Sequence, residues 1–105
     1  MTDRFEFEPQ ASAAIDDIYR YTRHRWGGEQ ASRYIDGIFA HIAKIAAHEV
    51  LWRRVPVEIG IAGYFCRFEH HFIYWKTLAD GRLGVFAILH ESMNRGDRLR
   101  PDRLA

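Results

Sequence analysis

QASAAIDDIYRYTRHRWGGEQASRYIDGIFAHIAKIAA (Gln10–Ala47) carries two apolar stripes on either side of a double glycine. In its first half Ala11, Ala14, Ile15, Ile18, Thr22 and Trp26 recur at spacings of three and four, the period of one helix face. In its second half Ala31, Tyr34, Ile35, Ile38, Phe39, Ile42 and Ile45 repeat that spacing, and Glu29 complements the positive end of the helix dipole. Gly27-Gly28 breaks the helix and lets the chain reverse. The stretch therefore predicts two helices, Gln10–Trp26 and Glu29 to about Ala47, closed into an antiparallel hairpin. Everything else must pack against its single apolar side.

Upstream, Arg4–Glu8 alternates, with Phe5 and Phe7 on one face. Period two predicts a short strand, and Pro9 ends it where a helix can begin. Downstream, His48–Gly60 holds Pro56 and two arginines without a clean period. It reads as an irregular connection with a short strand around Val55–Ile59. Three strand patterns follow: Tyr64–Phe68, Phe72–Leu78 and Leu83–Leu89. Asp80-Gly81 is a strong two-residue hairpin signal, and Glu69-His70 a weaker one. The order predicts an α+β fold of two layers, β-α-α-β-β-β, a helical hairpin packed on an antiparallel sheet. Large side chains occupy nearly every strand position. The sheet's second face should therefore be covered, by a partner or by the polar tail Ser92–Ala105.

The chain has 105 residues, 48% apolar and 14% aromatic, enough for one domain over 1–105 with one core. No apolar run approaches the roughly 18 residues that span a bilayer. MTDRFEFEP has no signal-type apolar stretch, so a cytoplasmic protein with no membrane partner is expected. Cys66 is the only cysteine, which excludes an internal disulfide and a cysteine-based zinc site. Net charge is +1, without the basic excess typical of a protein that lives on nucleic acid.

Few motifs carry chemistry. His41 and His48 lie seven apart, but no third ligand has suitable spacing. His-Glu-Val at 48–50 is not a metalloprotease motif, because position 52 is Trp. No metal and no cofactor is therefore expected. Ser12, Ser32 and Ser92 sit in no nucleophile elbow, and Cys66, between Phe65 and Arg67, reads as a packed thiol. No glycine-rich phosphate loop is present. The remaining group is Arg53, Arg54, Arg67, His71, Arg82 and His90, with Arg95 just beyond. Cleaving RNA through its 2′-hydroxyl needs a base, an acid and a cation for the phosphorane charge. Arg67, His71 and His90 could supply these if Arg67 and His71, on strands joined by a tight turn, share a face. The alternative is that the arginines face water and that His90 caps the end of its strand, tying it to the tail.

Three segments together resemble one family. They are Ala13–Ile38 (with Tyr21, Trp26, Gly27, Ala31 and Tyr34), Gly63–Lys76, and Ala87–Leu99 (with Ile88, His90, Met93 and Asn94). In this order they resemble the RelE/ParE toxin superfamily, on its ParE-like or plasmid-stabilisation branch. That resemblance implies the toxin of a type II toxin–antitoxin system, neutralised by a cognate antitoxin and reaching operator DNA only through it. On the ParE branch the implied target is DNA gyrase, with no enzymatic step. On the RelE branch it is messenger RNA, cut by a metal-independent endoribonuclease, ribosome-dependent or free. A relative that only forms a repressor complex is a third possibility. Stripe edges and aromatics left over by the core are the candidate antitoxin surface: Tyr19, Trp26, Tyr34, Trp52 and Trp75, with Arg20 and Arg23 facing an acidic tail. His90, Arg95 and Arg98 are the candidate target contacts.

Overall fold

A computed structural model describes residues 4–93 and 95–99. Strand β1 (Phe5–Phe7) leads into helix α1 (Pro9–Trp26), and helix α2 (Gly28–Ala46) returns. Pro9 starts α1, where its missing N–H costs nothing. Arg23, His24 and Arg25 sit in its last turn, against the negative end of the dipole. The reversal needs only Gly27, at φ 94 and ψ 169. At the far end of α2, His48 stands at φ 60, where glycine is usual. Its N–H bonds Ile45 O, and that of Glu49 bonds Lys44 O, a Schellman closure. This histidine, considered above as a metal ligand, is a helix terminator whose ring packs at a tilt against Trp52.

Four more strands follow: β2 (Arg53–Arg54), β3 (Tyr64–Phe68), β4 (His71–Thr77) and β5 (Leu83–His90). The sheet order is β1-β5-β4-β3-β2. Three details differ from the sequence reading. The strand expected around Val55–Ile59 lies earlier, at Arg53–Arg54, while Val57–Ile59 forms a single 3-10 turn. The sheet is also mixed, because β1 pairs with β5 in parallel, Phe7 against Val85. The β4–β5 connection is a three-residue loop rather than a two-residue one. Leu78 and Arg82 still pair, Gly81 N–H bonds Leu78 O, and Gly81 at φ 88 absorbs the extra residue.

The hairpin covers one sheet face. Ile38, Ile42 and Ile45 meet Ile73, Trp75, Val85 and Ile88 there. On the other face Val55, Tyr74, Phe86, Ala87 and Leu89 are buried with Leu99. The tail reaches this face through a four-residue helix, α3 (Arg95–Arg98). Arg95 stacks 4.1 Å over the Phe72 ring and hydrogen-bonds Tyr74. The expected tail cover is therefore supplied by the chain, together with the connection through Ile59 and Ile61. Asn94 and residues 100–105, part of the expected tail, lie outside the described residues. Among the described residues no helix is long and apolar enough to cross a membrane.

Candidate functional site

The site is built where β3, β4 and β5 end beside the open flank of the helical hairpin. Glu69 and His70 join β3 to β4 in a two-residue loop, and Glu69 holds φ 53, a conformation that favours glycine. Four ties hold that strained loop. Arg67 Nε donates to Glu69 O at 2.8 Å, and Glu91 N–H to His70 O at 2.8 Å. His70 N–H donates to the Tyr34 hydroxyl at 3.3 Å, and His70 Nδ1 bonds Glu91 Oε2 at 2.8 Å.

Pairing places His71 directly opposite His90, with rings 5.1 Å apart and edge-on. Both lie on the helix-covered face. The Tyr34 hydroxyl, on α2, bonds His71 Nδ1 at 2.6 Å. The same hydroxyl accepts from the His70 N–H, so it bridges the loop and the ring. Burial pushes the His71 imidazole down to about 4, helped by the neighbouring His90 and His70. Burial also raises the Tyr34 hydroxyl. At neutral pH the pair is an uncharged ring held by a protonated phenol. His90 Nδ1 accepts from Ser92 N–H at 3.1 Å and contacts Ser92 Oγ at 2.8 Å. A main-chain N–H can only donate, so the ring proton of neutral His90 sits on Nε2. His90 thus does tie the strand end to the turn after it.

Arg67 does not join them. It pairs with Phe72, while His71 pairs with Phe68, and side chains alternate along a strand. Arg67 therefore projects from the opposite face, over the Phe72 ring, and forms an ion pair with Glu91. The expectation that Arg67 and His71 share a face is overturned by register. Glu91, hydrogen-bonded by His70 and beside the Arg67 guanidinium, has its carboxyl held below the usual range. The three expected groups, Arg67, His71 and His90, therefore do not meet on one face; the imidazole that Glu91 links to Arg67 is His70. Cys66 lies 3.5 Å from His41 Nε2, but burial drives the thiol up to about 11 and the imidazole down, so it stays an inert thiol. Among the described residues no group of three or more His, Cys, Asp or Glu could hold a metal ion.

Above the histidines lies a groove of about 690 Å³ between α1 and the strand ends. Its walls include Ile18, Tyr21, Trp26, Tyr34 and Met93. Trp26 is 61% exposed, Tyr21 58% and Met93 40%. Trp26 and Tyr34 were expected at a partner surface, and here they share one cavity with His90. The other expected antitoxin contacts do not join it. Tyr19 lines a separate depression with Gly28 and Arg33, Arg20 pairs with Asp17, and Arg23 is exposed. Trp52 packs between His48 and Tyr64, and Trp75 is core at 2% exposure, so it offers a partner no surface. The expected target contacts split as well, because Arg95 lies on the second face and Arg98 is exposed on α3. Tyr21, His70 and Met93 were missed as site residues. Tyr21 was within reach, since it follows Ile18 by three on the edge of the α1 stripe.

Comparison with known proteins agrees with this architecture. The family model described as the ParE toxin of the type II toxin–antitoxin system parDE matches residues 5–95. Toxin ParE of Escherichia coli is 39% identical over 95 residues, covering 90% of each chain. Toxin ParE1 of Caulobacter vibrioides is 34% identical over 91 residues, covering 86% of this chain and 91% of its own. Toxin ParE1 of Mycobacterium tuberculosis is 27% identical over 94 residues. A helical hairpin on a five-stranded sheet, matched along nearly its whole length, places this chain in the ParE toxin family of type II toxin–antitoxin systems.

Proposed function

We propose that the whole chain, 1–105, acts as one toxin domain that works by binding: it inhibits DNA gyrase in the bacterial cytoplasm until a cognate antitoxin covers it. Through that antitoxin it reaches operator DNA. The observation that carries binding over cleavage is that register keeps the Arg67 guanidinium off the face that carries His71 and His90. Arg67 is spent on Glu91 on the far face, and His71 and His90 each have Nδ1 committed to a structural hydrogen bond. Transphosphorylation needs a cation beside its proton carriers, and a base that titrates near the working pH. The His71 imidazole, pushed down to about 4, is poorly matched to that task. An open groove flanked by aromatic side chains is suited to gripping a protein.

The test is a gyrase supercoiling assay on relaxed plasmid, run beside a primer-extension assay on translated mRNA. Lost supercoiling that returns when the antitoxin is added supports the proposal. Untouched supercoiling with cut transcripts replaces it with a metal-independent endoribonuclease.

A further inference from the structure

Among the described residues the sheet has two edges, β1 and β2, and they differ in what they can pair with. Strand β2 presents Arg53 and Arg54, both exposed, so a second β2 laid beside it would bring arginine against arginine. Strand β1 and its flanks read Arg4, Phe5, Glu6, Phe7, Glu8, with opposite charges at the two ends. The inner side of β1 pairs with β5: Leu83 N–H donates to Arg4 O at 3.0 Å, and Glu8 N–H to Val85 O at 2.9 Å. In a parallel pair held by those groups, the main-chain N–H and C=O of Phe5 and Phe7 point the other way. Among the described residues they have no main-chain partner. An aromatic ring stands over this edge. Phe39 of α2 is 36% exposed, 6.4 Å from the Phe5 ring and 5.4 Å from that of Phe7, so it sits between them. The end charges have room for partners. Arg4 is exposed and forms no ion pair among the described residues, and Glu8 meets one ammonium, that of Lys76 at 3.3 Å.

We propose that β1 pairs with β1 of a second copy of this chain, antiparallel and centred on Glu6, so that one sheet runs through a two-fold dimer. In that register Phe5 exchanges both main-chain hydrogen bonds with Phe7 of the second copy, and every outward group of β1 is used. Charge order selects this occupant. A strand that runs from positive to negative is its own complement when reversed, so Arg4 meets Glu8 of the second copy at both ends. At the centre Glu6 faces its own counterpart, and the Arg82 guanidinium, 3.2 Å from the Glu6 carboxylate in each copy, offsets that repulsion. The axis runs through the sheet, so both hairpins lie on one face and the two Phe39 rings close over the junction. The edge is short, which makes the dimer weak and reversible. Strand β1 pairs with the first residues of β5, whereas the groove lies at its last, His90, so both copies keep the groove open. The inference is independent of the gyrase and antitoxin readings.

The test is sedimentation of the full-length toxin without antitoxin, from ~1 to ~300 μM, a range set for a small interface, with amide exchange read at both ends. The mass should rise from one copy toward two. The Phe5 and Phe7 amides should exchange about 10-fold more slowly at the high concentration, while Ser92 N–H, beside the groove, should not change. Arg4→Glu and Glu8→Arg each set like charges across the junction, and each alone should stay monomeric. Mixed in equal amounts they should associate one to one, because every end then meets its opposite. Circular dichroism checks that each variant is folded, and the wild-type exchange decides if one is not. A toxin that is monomeric throughout overturns the proposal. So does association that leaves the Phe5 and Phe7 amides unprotected, that both folded charge variants retain, or that their mixture fails to restore. Protection of Phe5 and Phe7 only after antitoxin is added would give the edge to an antitoxin strand and overturn self-pairing as well.

Discussion

The two faces of the sheet are sealed by different means. One lies under two regular helices, with Ile38, Ile42 and Ile73 fully buried. The other lies under an irregular connection and a four-residue helix that delivers one buried side chain, Leu99. The cost of opening the cover differs. Lifting the hairpin removes most of the fold, whereas lifting α3 exposes a patch and leaves the rest standing. Regular cover is globally cooperative, and irregular cover is local.

Truncation within each cover tests that contrast. Ile38→Ala deletes atoms from the middle of the hairpin stripe, where neighbours on both layers are fixed. It should cost about 3–4 kcal/mol, a large share of the stability of a domain this size. Urea denaturation should show the midpoint fall with the slope unchanged. Leu99→Ala also empties a fully buried position, but α3 can swing away and relax, so the cost should be nearer 2 kcal/mol. Amide exchange should then rise in α3 and around Val55 while α1 and α2 keep their protection. Equal exchange increases on both faces would erase the distinction.

The difference also explains what could be read in advance. The hairpin was legible because three-and-four spacing survives in any context that buries one side. Strand β3 was legible to the residue because aromatics bracket it, Tyr64 and Phe68. Of the second cover the tail's part was expected from the large strand side chains, but the connection's part was not, since nothing in Pro56–Ile61 repeats. The sheet also hides a bulge. Tyr74 pairs with Ala87 but Trp75 with Val85, so Phe86 is an extra residue and lies with Ala87 on the second face. In a run as uniformly apolar as Gly84–Leu89 no polar residue marks that slip. The misplaced Arg67 has a related cause. A turn shows that two strands meet, but only register says which residues face each other, and Phe68 rather than Arg67 meets His71. Candidate partner residues were half legible for the same reason. Aromaticity flagged both Trp26 and Trp75, and only the packing separates a rim from a core.

The helical cover thins at one flank, where His71 lies half-buried, and acid should find that flank. Unfolded, the imidazole takes its proton below the ordinary 6.5; folded, it does so only at about 4. Between those values the unfolded chain binds more protons. Stability is therefore full above the unfolded value and declines as pH falls toward 4. Discounted for the water that reaches a half-buried ring, the loss should be about 1–2 kcal/mol. His41, also lowered by burial, adds in the same direction. Denaturation midpoints at pH 7.5 and pH 5 measure the loss, and His71→Gln should flatten most of it. An unchanged slope in that variant would assign the acid sensitivity to other groups.

The smallest effect asks what holds the irregular cover down. Arg95 lies 4.1 Å over Phe72 and hydrogen-bonds Tyr74, so its contribution divides between ring contact and charge. Arg95→Met keeps a long apolar stem on the ring and loses the cation. A partly exposed cation–π contact is worth about 0.5–1 kcal/mol, and the variant should lose no more than that. Its signature should be local: faster exchange at Leu99 N–H, which bonds Arg95 O, with α2 unchanged. If salt and the methionine variant both leave that amide untouched, burial of Leu99 alone pins the tail. The guanidinium would then be free to serve a partner, and the second face would close by packing alone, as the helical face does.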